Sequence, residues 1–93
     1  MTRCRIRIFG IEDLGGGEFE IRFTWSGDDW QAALEAVKAE IPAGERSYDP
    51  ETRQWSVYAT AHTQMTLSRI FANFWGALDA AQHPQETLFQ EAV

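Results

Sequence analysis

Two groups of residues in this 93-residue chain have types and spacings suited to holding an anion. Arg3, Arg5 and Arg7 alternate with Cys4, Ile6 and Ile8, so an extended strand would point the three guanidinium groups to one side. In the stretch R-S-Y-D-P-E-T-R-Q-W, residues 46–55, Arg46 and Arg53 flank a polar turn, with Tyr48 before it and Trp55 after it. Arginine's planar fork matches phosphate oxygens. A Tyr or Trp ring stacks on an unpaired base, worth about 1–3 kcal/mol per base. The chemistry on offer is recognition of a nucleic-acid strand.

Other chemistries are missing. His62 and His83 stand far apart and there is no C-x-x-C, so neither a metal nor a cofactor is expected. Gly15-Gly16-Gly17 lacks the Lys and Ser/Thr of a phosphate loop. Asp28 and Asp29 are adjacent, but they fall where a helix start favours acids. Cys4 lies on the apolar side of its strand, which predicts a buried, unreactive thiol. No catalytic constellation forms, and the expectation is a protein that is not an enzyme.

The bulk charge constrains the nucleic-acid reading. The net charge is −6, and both the first 60 residues and the remainder are acidic on balance. Affinity for nucleic acid comes largely from cations that displace counterions, so recognition would have to rest on a local patch. Seven of the eight basic residues are Arg, which favours bidentate contacts within such a patch. The carboxylates are scattered rather than gathered in one block, which argues against an inhibitor that imitates DNA. The single cysteine fits a reducing cytoplasm. No apolar run approaches the roughly 20 residues of a membrane span, and the alternating start M-T-R-C-R-I-R-I-F-G is unlike a signal peptide.

The elements that would position these residues follow from hydrophobic period. Residues 3–9 and 18–25 alternate strictly, with Phe19, Ile21, Phe23 and Trp25 on one face of the second run. Joined by the glycine-rich loop 10–17, they predict an antiparallel hairpin. On the opposite face Arg3, Arg5, Arg7 and Arg22 outnumber Glu18 and Glu20, with cross-strand Arg–Glu pairs expected. Ser26-Gly27-Asp28-Asp29 resembles a capping box and predicts a helix starting at Ser26. Trp30, Leu34, Val37 and Ile41 form its apolar stripe, beside Ala33, and Pro42 and Gly44 end it. Residues 45–60 predict a second hairpin turning at Asp49-Pro50, with Trp55, Val57 and Ala59 facing the core. Residues 63–82 predict one long helix with Leu67, Ile70, Phe71, Phe74, Leu78 and Ala81 on its stripe and Trp75 at its edge. The order β-β-α-β-β-α gives an α+β fold, antiparallel hairpins with two helices packed on one face, over a domain of residues 1–84 and a tail of 85–93.

Two stretches resemble known patterns. Val37, Lys38, Ile41, Pro42, Gly44, Arg46, Tyr48, Asp49, Pro50, Glu51, Arg53, Trp55 and Val57 resemble the V-K-x-I-P-G-R-x-[YW]-D-P-[ED]-x-[KR]-x-W-x-[VF] pattern of HARP domains of annealing helicases. Ala43 and Glu45 interrupt the usual I-P-G-R run. The resemblance covers about residues 30–58 and implies a module that reads branched or partly single-stranded DNA. These 93 residues hold no helicase motor, so a motor-directing role is not part of the expectation. In the tail, Gln85, Leu88 and Phe89 of Q-E-T-L-F resemble a bacterial sliding-clamp-binding pentapeptide, with Glu86 in place of the usual leucine.

The leading expectation is therefore a small, non-enzymatic, cytoplasmic module acting in replication, repair or mobile-element maintenance. Arg3, Arg5, Arg7, Arg46 and Arg53 would meet phosphates, and Tyr48 and Trp55 would stack on bases. The alternative is an acidic protein-interaction or homodimerisation module without DNA binding. Its homodimer or partner surface would be Phe71, Phe74, Trp75 and Leu78. The tail points with the leading expectation, Gln85, Leu88 and Phe89 binding a sliding clamp or other replication protein.

Overall fold

The computed structural model describes residues 4–83. Strict alternation makes β1 (Arg5–Gly15) and β2 (Glu18–Ser26), a hairpin closed at Gly16-Gly17. Both of those glycines have positive φ, as a two-residue turn matching the strand twist requires. β1 is therefore longer than its first alternating run. Gly10 does not end it: a register shift between Ile8 and Gly10 absorbs Phe9 as a bulge, and the ladder resumes at Gly10 opposite Arg22. Arg22 lies across Gly10 so closely that a Cβ there would meet its guanidinium at 2.7 Å.

After β2 come helix α1 (Trp30–Glu40), one 3-10 turn (Ala43–Glu45), and the hairpin of β3 (Arg46–Asp49) and β4 (Gln54–Ala59). The four strands form one antiparallel sheet in the order β1-β2-β4-β3. The chain closes with α2 (Ala61–Ile70) and α3 (Phe74–Gln82). The class is α+β, in the order β-β-α-β-β-α-α.

One sheet face carries the core. Ile6, Phe19, Ile21, Phe23, Trp25, Trp55, Val57 and Ala59 are buried there beneath Ala33, Val37, Leu67, Ile70, Phe71, Phe74 and Leu78 from the helical side. Rings lock the layers, with Phe71 5.3 Å from Trp25 and edge-on to Phe23 at 6.2 Å. Buried Gln64 of α2 ties the helix to the sheet, its amide donating to the carbonyls of Gly17 (2.8 Å) and Ala59 (3.1 Å).

Three expectations need correction. α1 starts at Trp30 and not at Ser26, which still belongs to β2. Gly27 has φ 143, and Asp29 precedes the helix without a side-chain cap bond. The long second helix is two helices, because Phe71 is extended and Asn73 turns its side chain to the sheet. Asn73 Oδ1 accepts from the Ile6 amide (2.9 Å) while its Nδ2 donates to the Ile6 carbonyl (3.0 Å). Phe71, Phe74 and Leu78 are therefore core residues and are not free to form a partner surface. Of that group only Trp75 is exposed, at 49%. The expected division at residue 84 and the tail, with Gln85, Leu88 and Phe89, lie outside the described residues.

Candidate functional site

The two arginine groups fall on opposite faces of the sheet. Arg5 and Arg7 stand on the open face, in register with Ser26 and Thr24. Arg3 lies outside the described residues. The extension of β1 brings Glu12 onto the same face, directly opposite Glu20. Along this hairpin Arg5, Arg7 and Arg22 are thus matched by Glu12, Glu18 and Glu20, so the expected positive excess is absent among the described residues. Among the described residues this hairpin forms none of the expected Arg–Glu pairs either. Arg7 instead lies over the Phe9 ring, 5.1 Å from its centroid. Glu18 accepts a hydrogen bond from the Tyr58 hydroxyl. That bond, with desolvation and the nearby carboxylates, raises the Tyr58 phenol above its ordinary value.

On the core face, at the β3 edge, Arg46, Tyr48 and Trp55 of the other group come together, without Arg53. Arg46 pairs with Val57 and Tyr48 with Trp55, which places both β3 side chains beneath α1. Together with Trp30, Leu34 and Lys38 of α1, spaced one turn apart, they line a groove of about 400 Å³ with Trp55 as its floor. Trp30 (43% exposed) and Tyr48 (47%) stand as its walls, whereas Trp55 is buried at 7%. The walls are joined by a chain of ring contacts, two stacked and the last tilted. Trp30 lies 5.5 Å from Trp25, Trp25 5.9 Å from Trp55, and Trp55 5.0 Å from Tyr48. The Trp25 indole also donates to the Trp30 carbonyl at 3.4 Å. Such a chain holds the two exposed rings in place.

The cations of the groove have different jobs. Arg46 Nε donates to the Ile41 carbonyl at 2.9 Å and its Nη2 to the Lys38 carbonyl at 3.4 Å. Arg46 therefore satisfies carbonyls at the α1 C-terminus that the helix leaves unpaired. Lys38 is exposed and makes no ion pair among the described residues. No carboxylate lines the groove. Arg53 sits in the exposed turn, held at φ 59 by its amide's 2.7 Å bond to the Asp49 carbonyl. Asp49 Oδ1 accepts from the Glu51 amide at 2.9 Å, which is the Asx turn that D-P predicts. The inserted Ala43 and Glu45 fold within the 3-10 turn, and the lysine and the arginine both line the groove.

Trp30, Leu34 and Lys38 are the groove residues that sequence reasoning left out of the site. Trp30 counts as core on its helical stripe, yet the buried line of α1 is Ala33 and Val37, continuing to Ile41. Trp30, Leu34 and Lys38 form the adjacent line, at four-residue spacing. Cys4 behaves as expected: it is buried, and burial first, with Asp29 and Asp28 nearby, raises its thiol. Among the described residues no cluster of His, Cys, Asp or Glu is suited to a metal ion. No described helix is long and apolar enough to cross a membrane. Comparison with protein-family models, with curated proteins and with solved structures finds no match to this chain.

Proposed function

We propose that this chain is a small, non-enzymatic DNA-associated module that captures an unpaired base in the groove between α1 and the β3–β4 hairpin. One observation carries the reading. Two half-exposed rings, Trp30 and Tyr48, wall a groove whose polar lining is Lys38 and Arg46, with no acid among the lining residues. Stacking gives sequence-tolerant affinity for a single strand, and Lys38 supplies a free cation for the adjoining phosphate. Four of the residues that resemble the HARP pattern, Lys38, Arg46, Tyr48 and Trp55, line the groove, which supports the same reading. The duplex interior offers no free base face, so single-stranded and forked DNA are the preferred ligands.

The test is anisotropy with labelled single-stranded, duplex and forked DNA at about 50 and 150 mM salt. Fork or single-strand binding should exceed duplex binding and weaken with salt. Tyr48→Ala and Trp30→Ala should each weaken it about fivefold to a hundredfold. Lys38→Ala should lower the salt slope by about one. Absence of binding at the lower salt, or binding indifferent to both ring removals, overturns the proposal.

A further inference from the structure

The opposite edge of the sheet carries a second surface. β1 is an outermost strand, eleven residues long, with β2 on one side only. The Asn73 clasp on Ile6 shows which main-chain groups face outward, since Ile6 turns its amide and carbonyl away from β2. Antiparallel alternation then turns Ile8 outward and, after the bulge, Ile11 and Asp13. Among the described residues nothing bonds the outward main chain of Ile8 or Ile11. A long edge left open is a template for pairing with another strand.

Its side chains say which strand fits. The strand is basic at its start, with Arg5 and Arg7, and acidic towards its end, with Glu12 and Asp13. Glu12 faces Glu20 across the hairpin, a like-charge pair that destabilises a sheet on its own. Arg7, Glu12 and Glu20 form no ion pair with any described residue. Beside them an apolar groove of about 530 Å³ opens between Ile6, Ile8, Phe9 and Ile11 of β1 and Ala77 and Ala80 of α3.

We infer that this edge binds a second copy of the chain, β1 against β1, about a two-fold axis between Phe9 and Gly10. In that register Ile8 of one copy lies opposite Ile11 of the other, so both outward main-chain positions are paired twice by symmetry. Arg7 then lies opposite the second copy's Glu12, on the open face, where it neutralises the Glu12–Glu20 repulsion. Antiparallel self-pairing is the arrangement that sets the basic end of this strand against its acidic end. Asn73 limits the ladder: the next outward pair would match Ile6 with Asp13, and Asn73 already occupies Ile6. The dimer is therefore small and concentration-dependent.

Sedimentation equilibrium of the full chain at concentrations up to about 1 mM tests this, with charge exchange as the probe. The wild type should dimerise. Arg7→Glu and Glu12→Arg should each weaken the dimer roughly tenfold or more, because each places two like-charge pairs across the axis. An equimolar mixture of the two single variants should form a heterodimer about as tight as the wild type, and the double exchange should restore the homodimer. Independently of any variant, exchange of the Ile8 and Ile11 amides should slow as wild-type concentration rises, while that of Ile6 stays unchanged. A wild type that is monomeric throughout, single variants that dimerise like the wild type, or Ile8 and Ile11 amides insensitive to concentration would each overturn the inference.

Discussion

Arg46 stands in the segment that resembles a DNA-reading pattern, yet its guanidinium is spent on the protein's own backbone. Replacing it with Ala strands the Ile41 carbonyl, which it holds at 2.9 Å in a half-buried setting, and frees the exposed Lys38 carbonyl at 3.4 Å. A hydrogen bond from a charged donor contributes about 1.5–3 kcal/mol. The second, long and exposed, adds little, and removal of a cation from a helix C-terminus adds a few tenths. The expected loss is about 2 kcal/mol, which for a domain this small lowers Tm by roughly 8–16 °C. Arg46→Lys keeps the charge but not the fork, and should recover less than half of the loss. Urea unfolding followed by tryptophan fluorescence measures both, with an unchanged m value as the sign that only stability moved. If Arg46→Ala unfolds within about 0.5 kcal/mol of wild type while its DNA affinity falls, the helix-end role is refuted and Arg46 is a ligand contact.

Three further outcomes follow from the geometry. Phe71→Ala should cost about 3–5 kcal/mol, because its ring is fully buried against Phe23 and Trp25. Trp75→Ala, on the exposed side of α3, should stay within about 1 kcal/mol; the same unfolding assay reads both, and equal costs would contradict the core assignment. Arg53→Gly should stabilise the hairpin by up to about 1 kcal/mol, since φ 59 suits glycine better than any side chain. A loss of stability there would mean that the arginine side chain, and not the turn, is what the position needs. Tyr58 has a folded-state pKa raised above its ordinary 10.0 by its bond to Glu18. The stability from this shift is fully present below about pH 10 and is lost as pH rises through the folded value. Tyr58→Phe should therefore flatten the alkaline fall in stability, and phenolate absorbance of the wild type should show one late-titrating tyrosine.

Much of the fold is legible where period and burial coincide. The alternation of residues 18–25 places Phe19, Ile21, Phe23 and Trp25 in the core, and D-P opens the second hairpin where expected. The departures have specific physical causes. Gly10 reads as a strand end, but here the missing side chain makes room for Arg22, a long-range fact without local signal. The apolar period of 67–78 continues across the helix break, because both short helices turn their buried sides to the same sheet. What breaks the helix is Asn73, and its partner Ile6 lies 67 positions away in sequence. For α1, period alone shows a stripe but not which border of it the sheet covers. Trp30 and Lys38 thus became groove residues only once the β3 edge was placed beside them.

The groove and the dimer edge lie on opposite borders of the sheet, β3 and β1, three strand spacings or about 14 Å apart. Perturbations at the two should therefore add independently. Arg7→Glu, studied at concentrations where the chain is monomeric, should leave single-strand affinity unchanged, and Tyr48→Ala should leave the monomer–dimer equilibrium unchanged. The first of these also decides between the two arginine groups. Among the described residues the open face balances Arg5, Arg7 and Arg22 with Glu12, Glu18 and Glu20, so these charges give an approaching phosphate no net attraction. Should Arg7→Glu nonetheless weaken DNA binding by the monomer, while Trp30→Ala and Tyr48→Ala do not, the strand's arginines are the phosphate track. The rings beside α1 would then serve only to seal the end of the core.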